Sequence, residues 1–135
     1  MSFRPANKEA CVRLTWSLAA LAIAAQPAAA HHSFAMFDAN KTLTLKGTVT
    51  QFSWTNPHVY LFVDVDGTTW GVELTSPGNL TKVGWTRNVV KPGDKVEVEV
   101  NPLRDGKHGG GFRQMTLANG QVLRARLFDL EGKAS

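Results

Sequence analysis

A chain of 135 residues, 43% hydrophobic and 19% charged, has the make-up of one ordinary globular domain and not of a disordered tail, a repeat array or a long coiled coil. Its 15 basic residues outnumber its 11 acidic ones, but three basic residues and one acidic residue precede residue 14, so residues 31–135 carry only +2. No basic run longer than a pair occurs, which is not the footprint of a nucleic-acid binder.

In chain order, Arg4, Lys8 and Arg13 precede a mostly apolar stretch from Leu14 to Ala25, Gln26-Pro27 break it, and Ala28-Ala29-Ala30 supply small residues. This is the anatomy of a secretory signal peptide over residues 1–30. Its apolar stretch is about a dozen residues, short of the ~20 that cross a bilayer. No twin arginine is present, and Cys11 lies ahead of the stretch, where it reads as incidental and not as a lipidation site. The expectation is cleavage after Ala30 and export to the periplasm or the extracellular space, with no membrane attachment afterwards. The mature chain then begins His31-His32-Ser33-Phe34, with a free α-amino group on a histidine. It is thiol-free, which excludes disulfide staples, thiolate metal centres and redox dithiols.

Residues 31–42 read as an N-terminal arm, residues 43–130 as a single β-domain and residues 131–135 as a tail. Leu43, Leu45, Gly47 and Val49 alternate with Thr44, Lys46, Thr48 and Thr50, the period of two that lays one side of a strand on a core. Asn56-Pro57 interrupts, and a second strand from His58 carries Val59, Leu61, Val63 and Val65 on one face. Asp66-Gly67 predicts a two-residue hairpin turn into Thr68 to Thr75, where Trp70, Val72 and Leu74 share the inner face. Ser76-Pro77 has the form of a helix cap with proline at the first helical position, so a short helix is expected over Gly78 to Trp85. Lys91-Pro92-Gly93-Asp94 forms a turn, and Val96, Val98 and Val100 then alternate with Lys95, Glu97 and Glu99. Arg104 to Gly111 reads as a glycine-rich loop, and Asn119-Gly120 as a turn joining Phe112 to Leu117 with Gln121 to Leu127.

Three strands, a short helical connection and two or three further strands is the element order of the oligonucleotide/oligosaccharide-binding barrel, the OB-fold. The expected fold is therefore an all-β, five- to six-stranded OB-fold-like barrel with one short helix. Its core should include Leu45, Val49, Leu61, Val63, Trp70, Val72, Leu74, Val96, Val98 and Met115, with Trp85 plugging one end. A small β-sandwich shares the alternation and is the competing topology. Arg124 and Arg126 point outward on the last strand, where charge protects an edge from pairing with other chains.

The four histidines, His31, His32, His58 and His108, all follow the leader. Without thiolates, imidazole is the strong ligand left for copper, zinc or nickel. An N-terminal histidine adds a chelate, because its amine and its ring can hold one ion together, and a distant histidine can complete a three-nitrogen copper site. Alternatively, His32 in second position binds Cu(II) with the terminal amine and its own backbone amide. An OB-fold brings together the loops after its first and fourth strands, which here carry His58 and His108. Against this stand a solvated loop for His108, a turn hydrogen bond for His58 and a frayed end for His31 and His32. No HExxH helix, carboxylate pair or serine triad gives the histidines a catalytic partner, so metal binding without catalysis is the economical expectation.

A second constellation is aromatic. With Leu43, Leu45 and Val49 inward, Phe52, Trp54, Tyr60 and Phe62 fall on one outer face beside His58, a stacking platform for a ligand. Two plainer outcomes compete: a bulge near Gln51 turns Phe52 inward, or Phe34, Met36 and Phe37 of the arm cover the face.

His31-His32-Ser33-Phe34 directly after the leader, Phe37-Asp38, Gly47-Thr48-Val49 with Phe52 and Trp54, and Asn56-Pro57-His58 resemble a family of small exported proteins, mostly proteobacterial, catalogued as a domain of unknown function. The resemblance covers nearly all of residues 31–135. It implies export and a small β-domain, and it supplies no activity or binding residue. The functional expectation is thus a non-catalytic periplasmic copper protein using His31, with His58 as the leading additional ligand and His32 or His108 as substitutes. The alternative is a metal-free module whose aromatic face takes a glycan, a peptide or another periplasmic or membrane protein.

Overall fold

The computed structural model describes residues 34–125; the leader expected over residues 1–30, His31, His32, Arg126 and the tail expected over 131–135 lie outside the described residues. Six strands and one helix make up this part: β1 (Leu43–Ser53), β2 (Tyr60–Val65), β3 (Thr68–Glu73), α1 (Pro77–Lys82), β4 (Lys95–Pro102), β5 (Gly109–Leu117) and β6 (Val122–Arg124). The strand order is β3-β2-β1-β4-β5-β6, and β5 also pairs with β3 in parallel, so β1 to β5 close into a five-stranded barrel with β6 added outside. This is the expected OB-fold-like arrangement.

The alternation places the core. Leu45, Val49, Leu61, Val63, Val72, Leu74, Val96, Val98 and Met115 are all buried, joined by Val59, Leu80, Val100 and Phe112. Trp70 is only half-buried against that core. Leu43 departs from its expected inward position and is 40% exposed, because it opens β1 at the barrel's margin. Asp66 and Gly67 both have positive φ, 52° and 83°, the geometry of a two-residue hairpin turn whose twist matches its strands.

The helix is shorter than its pattern suggests. Ser76 caps it by accepting from the Asn79 N–H at 3.3 Å, with Pro77 in the first turn. It ends at Lys82 because Gly84 turns left-handed at φ 87° and donates back to the Thr81 carbonyl. Trp85 then plugs one end of the barrel, edge-on to Phe112 at 5.3 Å, with its indole N–H donating to the Arg124 carbonyl at 3.3 Å.

One expectation fails for a reason of backbone geometry. Gly109 to Gly111, read as loop, are the start of β5 and pair with Gly71 to Glu73 to close the barrel. A Cβ on Gly109 would stand 2.9 Å from the Gly71 carbonyl oxygen, and one on Gly110 would stand 2.6 Å from that of Asn101. Glycine here marks close approach of strands, not a flexible connection. Of the arm, Phe37 packs elsewhere than on the aromatic face. Phe37 is buried and bridges to Leu103, while Met36 is exposed, because the arm runs beside the end of β4.

Candidate functional site

The register of the β2–β3 hairpin assembles the site. Counting outward from the Asp66-Gly67 turn, Val65 faces Thr68 and Tyr60 faces Glu73. The ladder continues beyond the strands, with the Val59 N–H donating to the Thr75 carbonyl at 3.1 Å and the Leu74 N–H to the Val59 carbonyl at 2.8 Å. His58 is thereby held beside the end of β3, and the Thr55 hydroxyl donates to its carbonyl at 2.9 Å.

The imidazole Nδ1 of His58 lies 2.5 Å from Oε1 of Glu73, and the two side chains are only 18% and 13% exposed. Tyr60 completes the corner. Burial pushes its hydroxyl pKa above the usual tyrosine range, and the adjacent Glu73 carboxylate, which accepts its hydrogen bond, pushes it further. One carboxylate therefore serves a histidine and a tyrosine together. A carboxylate on Nδ1 fixes both ring orientation and tautomer and makes Nε2 the ring's lone-pair nitrogen, an arrangement common to metal-bound histidines.

His108 stands in a different setting. Its exposed ring leans on Trp70 at 5.1 Å and 55°, and its carbonyl accepts from the Gly71 N–H at 3.2 Å. Trp70 and Glu73 occupy opposite faces of β3, three residues and so about 10 Å apart along the strand. His58 and His108 are thus not brought together as the loop argument expected. Among the described residues, no group of three or more His, Cys, Asp or Glu side chains gathers as a metal cage. A surface depression of about 430 Å³ lined by Lys46, Lys95, Glu97 and Leu117 contains no histidine.

Nor do the four aromatics share a face. A bulge between Val49 and Gln51 shifts the β1 register so that Phe52 pairs with Leu61 and turns inward, where it meets Trp85 and Trp54. Tyr60 and Phe62 alone remain on the outer face of β2, stacked at 6.5 Å and 27°. Glu73 is the site residue missed by reading motifs. Its signal was available, since the two-residue turn fixes the register that sets it opposite Tyr60.

The profile of the family of unknown function DUF6152 matches residues 19–113, more than half of the chain and inclusive of His58, Tyr60, Glu73 and His108. The chain belongs to that family. No curated protein matches it. Two crystal structures of TiaS, the tRNAIle2 agmatidine synthetase, resemble part of it. The ZRD-deleted mutant in complex with agmatine has a TM-score of 0.48 at 17% identity, over 66% of this chain and 27% of that one. Apo TiaS has a TM-score of 0.43 at 17% identity, over 59% and 18%. The chain therefore spans about a quarter or less of those proteins.

Proposed function

We propose that this DUF6152 protein is an exported, non-catalytic copper-binding protein. The leader over residues 1–30 directs it to the periplasm, cleavage after Ala30 frees the amine of His31, and that amine and its ring chelate Cu(II), with His58 as the leading additional ligand. The observation that supports this reading is the Glu73 carboxylate on Nδ1 of His58, which does for the ring what outer-shell carboxylates do for metal-bound histidines. From His31, outside the described residues, the reading takes only its chemistry. A planar amine-imidazole set suits Cu(II) better than tetrahedral zinc, and copper stands above zinc in the affinity series. His108 ranks behind His58, since its ring rests on Trp70 and has no carboxylate partner among the described residues.

The test is calorimetric titration with Cu(II) of protein beginning at His31, beside a form carrying an extra N-terminal Gly-Ser. The native form is expected to bind at least tenfold more tightly, and binding should weaken below about pH 6, because imidazole ligates only when neutral and its reference pKa is ~6.5. Equal binding by the two forms overturns the reading. A metal-free ligand module using the Tyr60–Phe62 stack, on the β2–β3 face where OB barrels take ligands, then replaces it.

A further inference from the structure

The outward face of the β2–β3 hairpin holds a notch that the copper reading does not use. Register sets Phe62 opposite Gly71, flanked on one side by Tyr60 opposite Glu73 and on the other by Asp64 opposite Thr69. These six positions alternate with the buried Leu61, Val63 and Val72 and so share the outer face. Where a side chain would stand opposite Phe62 there is only a hydrogen. Beyond its chain neighbours, a Cβ on Gly71 would meet among the described residues only Cε1 and Cδ1 of Phe62, at 3.5 and 3.8 Å, both ordinary contact distances. The notch therefore has bare main chain for a floor and the half-buried Phe62 ring for a wall, with the Tyr60 ring stacked beside that wall at 6.5 Å.

Charge decides what fits. None of the chain's 15 lysines and arginines falls within residues 47–81, a stretch that contains Asp64, Asp66 and Glu73. Asp64 and Glu73 stand at opposite ends of the notch. Glu73 already serves His58, whereas Asp64 spends Oδ1 on the Gly67 N–H at 3.2 Å and takes no hydrogen bond at Oδ2 among the described residues. Cations stand outside the hairpin: Lys95, held by the hydroxyl of Thr48 at 2.6 Å, where Thr48 pairs with Asp64, and Arg113, two residues past the Gly111 that pairs with Glu73. The charges that line the notch itself are the carboxylates. A flat guanidinium suits this setting, because it stacks on an aromatic ring and in the same plane offers a fork of donors to carboxylates, which a lysine ammonium does not. A half-exposed sheet face is not the concave pocket that encloses a small molecule, so the cation must be carried by a larger body, and arginine is enriched where proteins meet. We infer that the notch over Gly71 takes an arginine side chain of a partner protein, a role that stands apart from copper binding.

The experiment is an NMR titration of the isotope-labelled protein, with a chelator present so that no metal takes part. The probes are a blocked Gly-Ser-Arg-Ser-Gly peptide and its counterparts with lysine or citrulline in place of arginine. The arginine peptide is expected to shift the amide resonances of Phe62, Asp64 and Gly71 saturably, to bind more weakly as salt is raised, and to exceed the uncharged citrulline peptide about fivefold, with lysine between them. Gly71→Ala, whose methyl group fills the notch at ordinary contact distance, should keep the wild-type Tm and lose that preference. Asp64→Asn, which retains an acceptor for the Gly67 N–H, should weaken arginine binding about threefold and carries the test if Gly71→Ala does not fold. Equal binding of the arginine and citrulline peptides overturns the inference, as does undiminished arginine binding by both variants. So does a face that ignores all three peptides; if maltoheptaose then shifts the same resonances, the platform is a glycan site and the charge argument falls. None of these outcomes touches the copper reading, which the calorimetric comparison of native and extended forms decides separately.

Discussion

The two flanks of β3 are built on opposite terms. On the β5 side Gly109 to Gly111 pair main chain to main chain with Gly71 to Glu73, so near that a Cβ on Gly109 would collide with the Gly71 carbonyl oxygen. On the β2 side the contact is made by side chains, with His58 and Tyr60 converging on one carboxylate and Phe62 stacked beside them. The first flank closes the barrel and the second carries its chemistry. A single strand can serve both because its backbone N–H and C=O groups point to both of its edges, one edge taking β2 and the other β5.

The largest effect that would break this contrast lies on the glycine flank. Gly109→Val should destabilise the protein by about 3 kcal/mol or more, since its Cβ would meet the Gly71 carbonyl oxygen of β3 as well as the Leu103 side chain. For a domain of this size that lowers Tm by roughly 12 °C or more, readable by circular dichroism. An unchanged Tm would mean that β5 does not close on β3 through these residues.

On the other flank the order of effects reverses, with little cost to the fold and a clear cost to ligation. Glu73→Gln should lower stability by only about 1 kcal/mol but weaken Cu(II) binding about tenfold, the usual consequence of removing an outer-shell carboxylate. His108→Ala, at an exposed ring, should stay within about 0.5 kcal/mol in stability and leave copper affinity unchanged. Chemical denaturation and calorimetry on the same two variants sharpen the comparison, and equal losses of affinity would erase the distinction between the histidines.

The smallest effect is alkaline. Tyr60 is the chain's one tyrosine, so ultraviolet titration of the folded protein reports it alone, and its midpoint should lie above tyrosine's ordinary value of 10.0. Because the folded pKa is raised, the unfolded chain releases the proton first. The associated stability is fully present below pH 10 and is lost as pH rises through the folded midpoint. Glu73→Gln should bring the midpoint down, since it removes the carboxylate charge.

Much of the barrel was legible because its signals are local. Alternation fixed the inward valines, Asp66-Gly67 set a register that reaches Glu73, and Ser76-Pro77 marked the start of the helix. What was missed depends on backbone meeting backbone across long separations. The extra residue between Val49 and Gln51 reverses the orientation of Phe52 and Trp54 without any mark in the alternation. Gly109 to Gly111 have the composition of a loop until β3 is known to lie alongside. Asn101 and Arg104 act on carbonyls of the arm 60 or more positions earlier, and every residue has a carbonyl, so no motif announces their targets.

That last property reaches beyond this chain. Apart from Phe37, the barrel grips residues 35–41 through their main-chain groups, and within the arm only the Asp38 carboxylate, which accepts from the Asn40 N–H and pairs with Lys41, adds a side-chain contact of its own. Such a holder tolerates drift in its cargo. A foreign peptide of equal length that kept the phenylalanine and the aspartate should be threaded along the same course, which makes the domain a chassis for holding short sequences at a defined spot.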